Sequence, residues 1–243
     1  MAAVATADAA LDALLAAFAT DVAGALRTEL LSLVVYGSAA GDDWVAGRSD
    51  VNTAIVVPQV GFAVLEALAP VVGRWRPRGF AVPLVVEREF LARARDTFPI
   101  ELEDIRRQHR VLHGADLFAG ITVDPGALRR ECEQEARGKL LRLRAVFLGA
   151  ADERALAALV GSSVKSFLTV LRHLLTLRGR PPGPRYADVL AAGEALLGPL
   201  PAMGSLLAHR RSAAPAARLA RAELAAYLTE VERIVHAVDA GDA

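Results

Sequence analysis

Residues 33–57 read LVVYGSAAGDDWVAGRSDVNTAIVV, and no other stretch restricts the fold as much. Leu33, Val34, Val35 and Tyr36 make an apolar run with the length and composition of a buried strand. The run ends at Gly37 and Ser38, and a short polar loop follows. Ser49, Asp50, Val51 and Asn52 then lead into a second apolar run, residues 54–57. Strand side chains alternate, so Asp50 and Asn52 leave the same face, where they can share one metal ion. Gly37 lets the backbone come close to a phosphate with no Cβ in the way. Ser38 adds a hydroxyl and, at the expected start of a helix, a backbone N–H suited to an anion.

The rest of the chain divides by periodicity. Residues 8–30 carry Leu11, Leu14, Leu15, Phe18, Val22 and Leu26 at helical spacing, with Asp12, Thr20 and Asp21 elsewhere around the helix. Residues 64–75 suit a second helix, ended by Arg76-Pro77-Arg78-Gly79. Residues 80–86 read as a third strand, which Pro83 places at an edge or a bulge. Residues 87–95 suit a short helix. In residues 98–105, Ile100 and Leu102 alternate as in a strand, while Phe98, Leu102 and Ile105 also fit a helix. The reading adopted is a short edge strand leading into a helix that ends near His113 and Gly114. Residues 114–126, with glycines, an Asp-Pro pair and little periodicity, mark a boundary. One domain is expected over residues 1–116 and another over 125–243.

The second half is helical throughout. Asp124 is a fitting N-cap, with Pro125 in the first turn. Leu128, Cys132, Leu140, Leu143 and Phe147 share a face. Glu133 with Arg137, and Glu135 with Lys139, form acid-before-base pairs that each contribute about 0.2–0.5 kcal/mol. Leu156, Val160, Val164, Phe167, Leu171 and Leu174 make a second stripe. Arg180-Pro181-Pro182-Gly183-Pro184 is a rigid break; shorter helices follow from Tyr186, and a last one runs from about Pro215 to Val238. The fold class is therefore α+β, a small mixed-sheet core followed by an all-α bundle of four or five helices.

Lysine plus arginine and aspartate plus glutamate both number 28, so no global field draws nucleic acid or acidic membranes. The single cysteine, Cys132, cannot form an internal disulfide, which points to a reducing, cytoplasmic setting. The apolar N-terminus lacks a basic stretch and carries Asp8, Asp12 and Asp21, against a signal peptide or a membrane span. The Ala- and Leu-rich bundle offers a surface for self-association.

The order strand, Gly-Ser, loop, Asp-x-Asn, strand resembles the nucleotidyltransferase superfamily of the DNA polymerase β type. The resemblance covers about half the chain, residues 8–114. Val111-Leu112-His113-Gly114 is similar to the end of the minimal nucleotidyltransferase domains, where an apolar pair precedes a glycine. The helical half resembles, in architecture, the substrate-side domain of aminoglycoside-type nucleotidyltransferases. The likeness implies transfer of a nucleotidyl group from a nucleoside triphosphate to a hydroxyl acceptor that the sequence does not identify. It implies that Gly37 and Ser38 hold the triphosphate. Asp50, as the catalytic acid, and Asn52 would hold Mg2+.

The departures from the family pattern bear on activity. The pattern has D-x-D or D-x-E, whereas this chain has Asn52 in second place. Two divalent ions about 4 Å apart repel by roughly 16 kcal/mol at an effective dielectric near 20, and a neutral amide offsets little of that. The family's third carboxylate usually lies on the next strand, which here has no acid before Glu87; Glu101, on the fourth candidate strand, is a substitute. Ala39-Ala40-Gly41 follow Ser38, where many relatives carry a base. Two readings stand side by side: an active transferase, or a catalytically degenerate fold (a pseudoenzyme) that binds nucleotide or protein.

Lesser features each carry two readings. Arg74-Trp75-Arg76-Pro77-Arg78 can grip phosphates with Trp75 stacked on a base, or place cations at a helix C-terminus. Arg106-Arg107-Gln108-His109-Arg110 is an RNA patch or a solvated helix face. His109 and His113 have helix-face metal spacing without a third ligand. His173 falls at the edge of an apolar stripe. Lys165, among serines, reaches triphosphate or snorkels at a bundle surface.

Overall fold

The computed structural model describes residues 2–41, 43–150, 152–211 and 219–240. Two compact units, Met1–Asp124 and Pro125–Ala243, divide the chain. In the first, α1 (Ala2–Leu26), β1 (Ser32–Tyr36), β2 (Asn52–Val57) and α2 (Phe62–Trp75) are followed by β3 (Leu84–Glu87), α3 (Arg88–Arg93), α4 (Pro99–Arg107) and β4 (His109–Gly114). The sheet order is β3-β2-β1-β4. β1 is antiparallel to β2 and β4, and β3 runs parallel to β2.

The two central strands are β1 and β2, which is why their sequences are continuous apolar runs. Leu33, Val35, Val51 and Ile55 face Leu15, Phe18 and Val22 of α1 and Leu68 and Val71 of α2. Val34, Ala54 and Val56 face Leu91 of α3, Leu102 and Ile105 of α4, and Phe118. The segment Ala9–Glu29 is long and apolar enough to cross a membrane. In this fold its apolar stripe packs in the core, while Asp12 pairs with Arg110 and Asp21 with Arg74.

Trp75 ends α2 in an aromatic cluster with Phe18 and Phe80, ring centroids 5.5 and 4.9 Å away. Its indole N–H donates to Asp21 at 2.8 Å. That bond, with the Arg74 guanidinium, holds the Asp21 carboxyl below the usual carboxylate range. Trp75 is only 2% exposed, so it is not free to stack on a base. Of its cationic neighbours, Arg74 pairs with Asp21 and Arg78 lies over the indole at 4.7 Å.

Three expectations need correction. Residues 98–105 form no strand: Pro99 opens α4, where a missing N–H costs nothing, and Leu102 and Ile105 bury one helical face. The fourth strand is instead β4, where a helix end was expected. β4 is a sheet edge carrying His109, Arg110 and His113, and such polar edges lack the alternation that reveals a strand. The basic run 106–110 is accordingly split. Arg106 pairs with Glu103 on α4, Arg110 with Asp12, and His109 with Asp116. His109 and His113 therefore lack the helical spacing of a metal pair. The third strand is also shorter than residues 80–86: Phe80 makes a lone bridge to Val51, and Pro83 precedes the edge strand β3. Gly114 closes β4 with φ +75°, and a Cβ there would collide with the Leu31 carbonyl.

The second unit contains, among the described residues, α5 (Pro125–Gly149), α6 (Glu153–Leu177), α7 (Tyr186–Leu197), α8 (Pro201–Arg211) and α9 (Arg221–Asp239). Cys132, Val164, Phe167, Leu171, Tyr227 and Ile234 lie at the centre of one apolar core. His173 is fully buried in α6 rather than at an edge. Lys139 pairs with Glu135 as the spacing predicts. Arg137 instead reaches Asp239 of α9, and Glu133 pairs backwards with Arg129. The last helix starts at Arg221; Pro215, its expected beginning, lies outside the described residues.

Two side chains of α9, Glu230 and Arg233, are tied to backbone at the turn before and the start of α8. Pro201 opens α8 without an N–H, leaving Ala202 and Met203 as the first donors. Both donate to the Glu230 carboxylate of α9, at 2.8 and 2.7 Å. Arg233, one turn on, donates to the Leu197 and Pro199 carbonyls. The Tyr227 hydroxyl shares a 2.7 Å hydrogen bond with Ser163, and burial pushes its phenol well above the ordinary value.

Candidate functional site

The Gly37 end of the sheet is built by three segments. β1 delivers Tyr36 into the turn, β2 begins opposite it, and the end of α4 passes beside both. Tyr36 and Asn52 are direct partners in the β1–β2 register. Gly37 has φ +69°, in the left-handed region that favours glycine. A Cβ at Gly37 would meet only Asn52 Nδ2, at 3.6 Å, so conformation rather than crowding selects glycine. That proximity places the turn beside the amide. The Gly37 N–H donates to the Gln108 carbonyl at 3.1 Å, which fastens the turn to the start of β4.

Residues Gly37–Ala40 form a single 3-10 turn, not the start of a longer helix. Ser38 therefore lacks the summed dipole of several helical turns. Its carbonyl accepts the Gly41 N–H at 3.2 Å, and its side chain is partly exposed. Gly41 lies against the Gln108 side chain, where a Cβ would collide. Gln108 thus supports the loop at two points. Nothing in its local sequence signals that role, because both contacts join segments far apart in the chain.

Asp50 is exposed and stands one residue before Val51. The Val51 N–H donates to the Gly79 carbonyl at 2.8 Å, and its own carbonyl accepts the Ala81 N–H at 3.0 Å. Val51 is buried against α1 and α2, whereas Ala54 belongs to the α3–α4 face. By alternation Asn52 shares the Ala54 face. Ser49 accepts the Val45 N–H through its hydroxyl at 3.1 Å, closing the loop just ahead of Asp50.

The two substitute carboxylates part company. Glu87 pairs in register with Val57, at the far end of β2 from Asn52. Five residues of strand put it roughly 16 Å away. Its carboxylate accepts the Val60 N–H at 3.0 Å. Glu101 lies on α4, not on a strand. Burial raises the Tyr36 phenol above its ordinary value, and the charges of Glu101 and Asp104 add to the rise. Both acids therefore act on the strand end that carries Gly37 and Asn52. Their three-residue spacing on one helix is the signal that a strand reading of this segment hides.

The fit to Mg2+ is poor. Among the described residues, no group of three His, Cys, Asp or Glu side chains is placed to hold a metal ion. Asp50 and Asn52 supply one charge between them, too little for a two-ion arrangement. Lys165 belongs to the second unit, where its ammonium lies 5.8 Å from the centre of the Tyr186 ring.

No protein-family model matches the chain, and no curated protein matches it. Solved structures do. The crystal structure of spectinomycin adenyltransferase AAD(9) from Enterococcus faecialis, with ATP and spectinomycin, is similar at a TM-score of 0.54 and 15% identity. The likeness covers 89% of this chain and 94% of that one. The fold is therefore nucleotidyltransferase-like, a mixed four-stranded sheet followed by helices.

Proposed function

We propose that this protein binds a nucleoside triphosphate at the Gly37-Ser38 turn, with Asp50 and Asn52 beside it, and that nucleotidyl transfer is weak or lost. The carrying observation is the Tyr36–Asn52 pairing, which puts an amide next to the glycine turn where the family pattern has a second carboxylate. The likeness in fold to an adenyltransferase solved with ATP supports the nucleotide. The left-handed Gly37 supports close approach of a phosphate to backbone. A lone exposed Asp50 supports weak metal binding, hence weak transfer.

A second reading draws on Glu101 and Asp104. Their charge at Tyr36 would supplement Asp50 and sustain transfer. Labelled ATP with Mg2+ separates the two. On the first reading ATP raises the melting temperature of the wild type, label transfer is slow or undetectable, and Asn52→Asp tightens Mg2+-dependent ATP binding by about tenfold. Rapid label transfer by the wild type that disappears in Asp50→Ala favours the second reading. No response to any triphosphate defeats both.

A further inference from the structure

We infer that the first unit holds a binding site for an amphiphilic amine: a single ammonium group on an aromatic or apolar body. A cavity of about 490 Å³ lies between β3, α3 and α4. That is within the range of small-molecule sites. β3 supplies Leu84 and Val86, α4 supplies Leu102, and Phe90 and Phe98 close it with ring centroids 5.7 Å apart. Phe98 is 43% exposed, so its ring faces the opening of the cavity rather than the core.

The charged groups in the lining are both carboxylates, Glu87 and Glu101. Glu87 is occupied by the Val60 N–H, whereas Glu101 makes no hydrogen bond or ion pair among the described residues. Among the described residues, no lysine, arginine or histidine lines the cavity. Two negative groups in an apolar wall repel phosphates and attract a cation, and the aromatic pair adds a π-face for it. A polyhydroxylated ligand would lose its hydrogen bonds to water against this wall and regain few. An apolar amine loses little and gains the Glu101 carboxylate. The proposal stands on the cavity alone and does not depend on nucleotide binding at Gly37.

Tryptamine and tryptophol share an indole and a two-carbon chain and differ in charge, so calorimetric titration of the full chain with each tests the site. Tryptamine is expected to bind about tenfold more tightly, equivalent to ~1.4 kcal/mol. Glu101→Gln, an exposed helical position, should lower tryptamine affinity about fivefold and leave tryptophol unchanged. Phe98→Ala should weaken both ligands. Equal affinity for the two ligands overturns the proposal. So does failure of tryptamine to bind the folded chain, or binding that neither substitution alters.

Discussion

The core around α8 and the Gly37 end of the sheet treat their glutamates in opposite ways. Glu230 is 3% exposed and spends both oxygens on the first donors of α8. Glu101 sits on the exposed side of α4 and makes no hydrogen bond among the described residues. The first carboxylate is a structural part, since removing it strands two N–H groups in an apolar interior. The second holds nothing together. Both proposed sites rest on such exposed carboxylates, Asp50 beside the Gly37 turn and Glu101 in the cavity wall.

Glu230→Ala should produce the largest loss, about 3–5 kcal/mol by urea denaturation, because two charge-assisted hydrogen bonds go and their donors stay buried. A loss under about 1 kcal/mol would break the contrast, since the carboxylate would then be as dispensable as Glu101. Alkali probes the same core next. Burial, helped by Glu131 and Glu133, pushes the Cys132 thiol up to about 12 from an ordinary value of 9.0. Above pH 9 the unfolded chain ionises this thiol and the folded chain does not. Stability is thus full below pH 9 and falls as pH rises towards 12, by on the order of 2–4 kcal/mol. Urea midpoints across that window check it, and Cys132→Ala should flatten the slope.

At the sheet end the effects should shrink in stability and grow in binding. Gly37→Val forces a β-branched residue to φ +69°, costing about 1–2 kcal/mol, and should abolish stabilisation by ATP. A variant that kept its full response to ATP would remove the turn from the nucleotide site. Glu101→Gln should move the melting temperature by less than about 2 °C. A larger drop would show that Glu101 has a structural task after all.

Where apolar spacing was dense, the sequence was readable. α1, α2, α5 and α6 follow from stripes such as Leu11, Leu15, Phe18 and Val22, each buried on one face. β1 and β2 follow from runs with no polar interruption, since both strands are covered on two sides. β4 was hidden because an edge strand with His109, Arg110 and His113 shows no alternation. Its concealment cost the site as well. With α4 mistaken for a strand, the common side of Glu101 and Asp104 could not be seen, nor could Gln108 at the junction. Glu230 was equally invisible, because an acid on α9 that closes the first turn of α8 leaves no local pattern. The positions of Gly37, just after β1, and of Asn52, at the start of β2, follow from the two apolar runs that flank the loop.

The position of β1 also bears on how the chain is made. β1 lies mid-sheet, yet its β4 neighbour lies at Gly114 and His109, more than seventy residues downstream. During synthesis that edge stays open until the ribosome has passed Gly114, well after β2 and β3 have emerged. The Gln108 carbonyl that secures the Gly37 N–H arrives with the same late segment. A nascent chain arrested before that point would carry a naked apolar edge, a template for sticking to other chains.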